Sequence, residues 1–148
     1  MAGSVFSLTG VKHGAFGISV NARGARNYSD TLISVLKDNA IPTLWLVRKV
    51  FIEETTYAAA TARLRNTHIS CAIYYIVSGI KDNEGMVIER ETDSTKAYYE
   101  LSDYNWFLIQ TNYDRDQPDP LHDPRRIPTE KKLAARGNAN FTEQTLLH

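Results

Sequence analysis

Residues 71–113, CAIYYIVSGIKDNEGMVIERETDSTKAYYELSDYNWFLIQTNY, decide how the rest of this chain is read. Four segments within them, 71–78, 86–90, 97–101 and 106–113, are rich in Ile, Val, Tyr and Trp, the residues that suit a pleated, half-buried surface. Between them, Asp82-Asn83-Glu84-Gly85 and Ser102-Asp103-Tyr104-Asn105 are short enough to close hairpins. The spacing predicts an antiparallel meander of four strands. In the last of these Trp106, Leu108, Gln110 and Asn112 fall on one face, because side chains alternate with period two. Asn112 is therefore expected at the end of a buried stripe.

Working outward, Phe16, Ile18 and Val20 share a face of a strand ending at Asn21, and residues 4–10 suggest a strand and turn before it. Residues 30–38 read as a helix capped by Asp30 or Ser29. A second helix spans 43–53 with Pro42 at its start, and an alanine-rich third spans 57–64 behind Thr55 or Thr56. Leu44, Trp45, Leu46, Val47, Val50, Phe51 and Ile52 make the second helix apolar almost all round, so it is expected to be covered on more than one side. Beyond the meander, 129–136 resumes helix, ended by Gly137. Residues 140–148 begin a further helix that stops within two turns. Two strands, three helices, four strands and one or two helices indicate an α+β layered sandwich over a single domain, 1–148.

The composition narrows function by exclusion. Lys+Arg and Asp+Glu balance at 17 each, so no overall field favours nucleic acid or an anionic membrane. The longest apolar run, 71–77, falls far short of the roughly 20 residues of a transmembrane segment. The single cysteine, Cys71, lies in a predicted core strand and reads as a buried, inert thiol. His13, His68, His122 and His148 are scattered, with no second ligand at zinc spacing, and neither metal nor organic cofactor is expected. Asn27-Tyr28-Ser29 and Asn140-Phe141-Thr142 satisfy the N-glycosylation acceptor pattern, which matters only in the secretory route.

Chemistry concentrates after the last predicted strand, in QTNYDRDQPDPLHDPRR, residues 110–126. Pro118, Pro120 and Pro124 restrict this loop's backbone and remove amide donors, while four aspartates and three arginines crowd one strand end. On its own terms Asn112 satisfies a turn and Arg125 pairs with Asp123. The tract QTNYDR followed by DPRR also resembles the "TNYD … DDRR" pattern of acid ceramidase and N-acylethanolamine acid amidase, a family of lysosomal cysteine amidases with an N-terminal nucleophile. Leu8-Thr9-Gly10, Ile41-Pro42 with Trp45-Leu46-Val47-Arg48, residues 74–79, residues 84–88 and Gly137-Asn138-Ala139-Asn140 resemble it in the same order. The likeness covers nearly the whole chain, and 41–48 and 137–142 look nearer to N-acylethanolamine acid amidase.

The resemblance implies part of an αββα sandwich with antiparallel sheets and a cysteine thiol that attacks a fatty-acyl amide. On the matching positions it implies that Asn112 donates to the tetrahedral oxyanion and that Arg125 stabilises developing negative charge. An amide NH2 donates without titrating and a guanidinium stays charged in acid, which suits both roles. The implied substrate is an N-acylethanolamine, or a ceramide-like lipid second, with Trp45, Phe51, Tyr74 and Tyr75 as the apolar residues available to an acyl pocket. The implied location is lysosomal or secreted. The chain departs from the pattern in three ways. No Cys-Thr or Cys-Ser opens it, so the nucleophile is expected in a further N-terminal segment or subunit of the same precursor, and further strands are expected after His148. Asn21-Ala22-Arg23 lacks the family's acidic residue before the arginine. Pro124 replaces the second aspartate of DDRR. A catalytically dead paralogue that keeps a lipid-binding or interaction role is the alternative.

Overall fold

Ile73, Tyr75 and Val77 alternate along β3 (Ile73–Ser78) and are at most 1% exposed, and the layers of the molecule follow from that alternation. The computed structural model describes residues 6–24, 28–140 and 142. Five strands form one antiparallel sheet in sequence order: β1 (Thr9–Lys12), β2 (Phe16–Ala22), β3, β4 (Gly85–Arg90) and β5 (Thr95–Glu100). Four helices accompany it, α1 (Tyr28–Lys37), α2 (Thr43–Glu53), α3 (Tyr57–Asn66) and α4 (Arg126–Arg136). The α+β class and antiparallel pairing are as expected.

Register sorts the sheet into two faces. Val20 lies opposite Tyr75, and Tyr75 opposite Ile88, so Phe16, Ile18, Ile73, Tyr75, Val77, Met86 and Ile88 share one face. They form one core with Leu46, Val47 and Val50 of α2 and Ala60 and Leu64 of α3. The small side chains of α3 let it lie close to the sheet, and its start is fixed by Thr56, whose side chain accepts from the Ala59 amide at 3.2 Å. Lys12 in β1 donates to the carbonyls of Phe51 (3.0 Å) and Glu54 (2.5 Å), where the helix leaves carbonyls unpaired and the dipole is negative.

The opposite face carries Asn21, Tyr74 and Glu89. All six residues of β4 are buried, which requires cover on both sides. Among the described residues that second cover is loop rather than sheet, and here the sequence reading is corrected. Residues 106–113 are not a strand and show no alternating burial. Side chains take the places of ladder partners: Asn21 Nδ2 donates to the carbonyls of Gln110 (3.0 Å) and Thr111 (3.4 Å), Gln110 Nε2 to that of Tyr113 (2.9 Å), and Arg115 Nη1 to that of Ile109. The carbonyls of Ile109, Gln110, Thr111 and Tyr113 are thus satisfied without a neighbouring strand.

Several boundaries also move. The meander has three strands, and β3 begins at Ile73, so Cys71 precedes it and is half-buried with Sγ 3.1 Å from Thr43 Oγ1, not sealed in a core strand. Among the described residues the first strand is Thr9–Lys12, overlapping the end of the predicted strand and turn at 4–10, of which residues 4 and 5 lie outside the described residues. Helix α1 starts at Tyr28, so Ser29 and Asp30 lie inside it instead of capping it. Helix α2 is covered on one side only among the described residues: Trp45 and Ile52 are 36% and 66% exposed. Helix α4 begins at Arg126, before the predicted 129, and ends as expected at Gly137, whose φ of +76° suits glycine and whose N–H closes on Leu133 O. Residues 141 and 143–148, and Asn27 of the first sequon, lie outside the described residues.

Candidate active site

The loop from Asn112 to Arg126 is held at four points, three of them on the second face of the sheet and one within the loop. Asp114 is the first. Its carboxylate takes Arg23 Nε at 2.6 Å and Nη2 at 2.8 Å in a bidentate pair, Lys96 Nζ at 2.6 Å and the Tyr74 hydroxyl at 2.7 Å. Bidentate guanidinium–carboxylate pairs are among the strongest and most directional charge-assisted contacts. The guanidinium of Arg23 is the largest cause holding the Asp114 carboxyl well below the usual carboxylate range. Burial, then the bond to Asp114, pushes the Tyr74 phenol up.

Arg126 is the second point and is 5% exposed. It donates to Asp119 Oδ1 (3.2 Å), Arg115 O (2.9 Å) and Gln117 O (2.5 Å), so the second arginine of DPRR clamps the loop from within. Arg115 is the third: its guanidinium stacks over Tyr99, 4.9 Å from the ring centroid, and pairs with Glu130 at 3.2 Å. Glu89 is the fourth, accepting the Arg115 amide at 2.7 Å. Its side chain is fully buried, and that burial pushes its carboxyl above the ordinary range.

These fastenings bring both predicted site residues together. Arg125 Nη2 donates to Asn112 Oδ1 at 3.0 Å, and Asn112 Nδ2 donates to the carbonyl of Ala22 at 3.0 Å. With its oxygen held by a cation, the amide has a defined orientation, and one of its two N–H groups is engaged by Ala22. Arg125 also forms the predicted pair with Asp123, Nε to Oδ1 at 2.6 Å, and the Tyr113 hydroxyl closes on the other oxygen of Asp123 at 3.0 Å. A tight turn around Pro124, with the Arg125 amide 3.0 Å from Asp123 O, makes that pairing local. The two readings of Arg125, ion-pair partner and neighbour of Asn112, hold at once.

Asn112 lines a cavity of about 590 Å³ together with Arg23, Ala72, Tyr74, Glu91, Asp114 and Pro118. Arg125 does not line it and its side chain is 53% exposed, so it acts on the cavity through Asn112. The cavity's wall is polar near Asn112 and Asp114. The four apolar residues offered as an acyl pocket do not converge: Tyr75 is sealed in the core, Phe51 stacks on Phe16 at 5.7 Å, Trp45 lies on the outer side of α2, and Tyr74 faces the cavity from the other side of the sheet. Period two along β3 separates Tyr74 from Tyr75. Sequence reasoning missed Glu89 and the partnership of Arg23, Lys96 and Tyr74 with Asp114. The separations of these residues from Asp114 run from 18 to 91 positions, and the only local signal was an unusual carboxylate, Glu89, inside an apolar strand. Among the described residues no group of three His, Cys, Asp or Glu side chains is placed to hold a metal ion, and no helix is long and apolar enough to cross a membrane.

Among the described residues, one antiparallel sheet is backed on one face by α2 and α3 and carries the loop with Asn112 and Arg125 on the other, an α+β architecture. No family model matches the chain. It is 35% identical over 146 residues to the N-acylethanolamine-hydrolyzing acid amidase of Rattus norvegicus, covering 97% of this chain and 40% of that protein. The corresponding amidase of Caenorhabditis elegans is 36% identical over 143 residues, and the acid ceramidase of Pan troglodytes 35% over 150. A solved structure of the C. elegans N-acylethanolamine-hydrolyzing acid amidase ortholog superposes with a TM-score of 0.79 at 34% identity, covering 99% of this chain and 63% of that one. The chain thus spans about two fifths of the length of the curated relatives it matches. It belongs to the family of N-acylethanolamine acid amidase and acid ceramidase.

Proposed function

We propose that these 148 residues are an incomplete catalytic region of a fatty-acid amide hydrolase, cleaving an N-acylethanolamine, or a ceramide-like lipid second, to fatty acid and amine. The attacking cysteine thiol comes from sequence outside this chain, in an N-terminal segment or subunit of the same precursor, and the location is lysosomal or secreted. The observation that carries this reading is the hydrogen bond from Arg125 to Asn112 Oδ1, which fixes the amide of a cavity-lining residue and leaves it one N–H beyond the one that Ala22 takes. A neutral donor with a fixed orientation is what a developing oxyanion needs, since no reorganisation is then required as charge appears. Arg125 supplies the orientation and a positive potential that acid does not remove.

The test is to express the longer reading frame that carries this chain and measure fatty acid release from N-palmitoylethanolamine in mild acid. Release that falls about 100 to 1000 fold in Asn112→Ala supports the reading. Release unchanged in that variant, or absent from a protein that has the upstream cysteine, rejects it. The second reading, a catalytically dead paralogue that binds lipid or a partner, is favoured by one contact: the Asn112 amide rests on the backbone carbonyl of Ala22, where the resembling family has an acidic side chain. Binding of N-palmitoylethanolamine without release of fatty acid would select it.

A further inference from the structure

Glu89 is a carboxylic acid inside the molecule with one oxygen unprovided for. Its residue is 0% exposed; Oε1 accepts the Arg115 amide at 2.7 Å, and Oε2 is buried with no hydrogen-bond partner. The charged groups that face it come from every surrounding element. Arg23, after β2, is spent on Asp114 and Glu91. Lys96 of β5 is spent on Asp114 and Asp116. The Arg115 guanidinium is spent on the carbonyl of Ile109 and on Glu130 of α4. Tyr74 of β3 gives its hydroxyl to Asp114, Tyr99 of β5 lies beneath Arg115, and Asp114 itself adds a like charge.

An ionised Glu89 therefore has one neutral amide in place of water, with Asp114 as a like charge and, as cations, only Arg23 and Lys96, which are already paired with other carboxylates. Loss of a carboxylate's hydration outweighs a single such hydrogen bond, so the neutral acid is the form that fits. Arg115, whose amide Glu89 holds, lies three residues beyond Asn112; its carbonyl takes Arg126, and the adjacent Arg125 holds the Asn112 amide. Glu89, the Asn112–Arg115 segment and the paired arginines are one mechanical unit.

We propose that Glu89 is a positioning residue that docks the Asn112–Arg115 segment on the sheet as the neutral acid and loosens it on ionisation, so that the candidate site is assembled in mild acid. This deepens the functional reading above and rests on it. Burial acts in the same direction on the Glu89 carboxyl.

The experiment follows exchange of the Arg115 amide by NMR in the 148-residue chain, corrected for intrinsic exchange, between about pH 5 and about pH 7.5. The expected result is protection that falls about tenfold or more toward neutral pH in the native chain and stays flat in Glu89→Gln, whose amide keeps the acceptor but does not titrate. Flat protection in the native chain, or an unchanged profile in Glu89→Gln, overturns the proposal. Should Glu89→Gln fail to fold, titration of the Glu89 carboxyl carbon in the native chain decides: a midpoint above the ordinary 4.5 supports it, and one at or below 4.5 overturns it. Neither readout requires hydrolysis. A segment that docks in acid, beside a longer protein whose fatty acid release is unchanged in Asn112→Ala, would keep this proposal and reject the functional one, whereas a segment indifferent to pH rejects this proposal alone.

Discussion

At the scale of the residue, the division of labour between the two arginines of DPRR is the clearest result. Arg125 is half exposed and touches Asn112; Arg126 is buried and touches only the loop. Substitutions at the two should therefore fail differently. Arg125→Lys keeps the charge but loses the planar fork that reaches Asn112 and Asp123 together. A charge-assisted bond is worth about 1.5–3 kcal/mol, so on the function proposed above the longer protein should lose about 10 to 100 fold in kcat with its melting temperature nearly unchanged. Steady-state kinetics beside thermal melts would show it. Arg126→Ala should act on stability first, costing about 3 kcal/mol, because it strips the cation from the Asp119 carboxylate, leaving it the Ile127 amide, and frees the carbonyls of Arg115 and Gln117. Urea unfolding measures that loss directly.

Among the elements, the sheet shows why one face became core and the other a site. Alternation in β2, β3 and β4 sends Phe16, Ile18, Tyr75 and Ile88 to the helices and Asn21, Tyr74 and Glu89 to the loop. The Arg23–Asp114 pair, with side chains 12% and 18% exposed, joins the end of β2 to the loop. Asp114→Ala should cost about 2 kcal/mol, between the values for fully buried and exposed pairs, and should free the Arg23 and Lys96 side chains. The helices are held by more ordinary means. Thr56→Ala at the start of α3 should cost about 1 kcal/mol through loss of the cap on the Ala59 amide. Leu46→Ala, fully buried between α2 and the sheet, should cost about 2–5 kcal/mol. Chemical denaturation should rank Leu46→Ala as the most severe, then Asp114→Ala, then Thr56→Ala.

For the whole molecule, two carboxyl groups with opposite shifts set a pH window. Asp114 is depressed from 3.8, chiefly by Arg23, so its stabilisation is present above 3.8 and is lost as pH falls through the folded value. Glu89 is raised from 4.5 by burial, so its contribution is complete below 4.5 and is lost as pH rises through the folded value. Together they predict a stability maximum in mild acid. Melting temperatures across the acid and neutral range should show that maximum; Glu89→Gln should flatten its neutral side and Asp114→Asn its strongly acid side. A maximum at neutral pH in the native chain would contradict the assignment for Glu89. The pairing of Arg125 with Asn112 persists throughout this window, because neither group titrates there.

What the sequence by itself determined is the local and the periodic. The span of α2 is read to the residue because Pro42 starts it and an apolar run fills it; the stop at Gly137 is read because only a residue tolerant of positive φ ends a helix that way. β3, β4 and β5 are each found within two residues of their bounds by composition and turns, and Asn112 and Arg125 are marked by motif. Tertiary structure decided the rest. Whether residues 106–113 become a strand depends on what stands beside them, and the side chains of Asn21, Gln110 and Arg115 stand there in place of a ladder. Whether α2 is covered on one side or two depends on which layers surround it. The charges that fasten the site, Arg23, Lys96, Asp114 and Glu89, come from places far apart along the chain, and no period or local motif links them: folding alone sets Arg23 and Lys96 within 3 Å of Asp114, and Glu89 within 3 Å of the Arg115 amide.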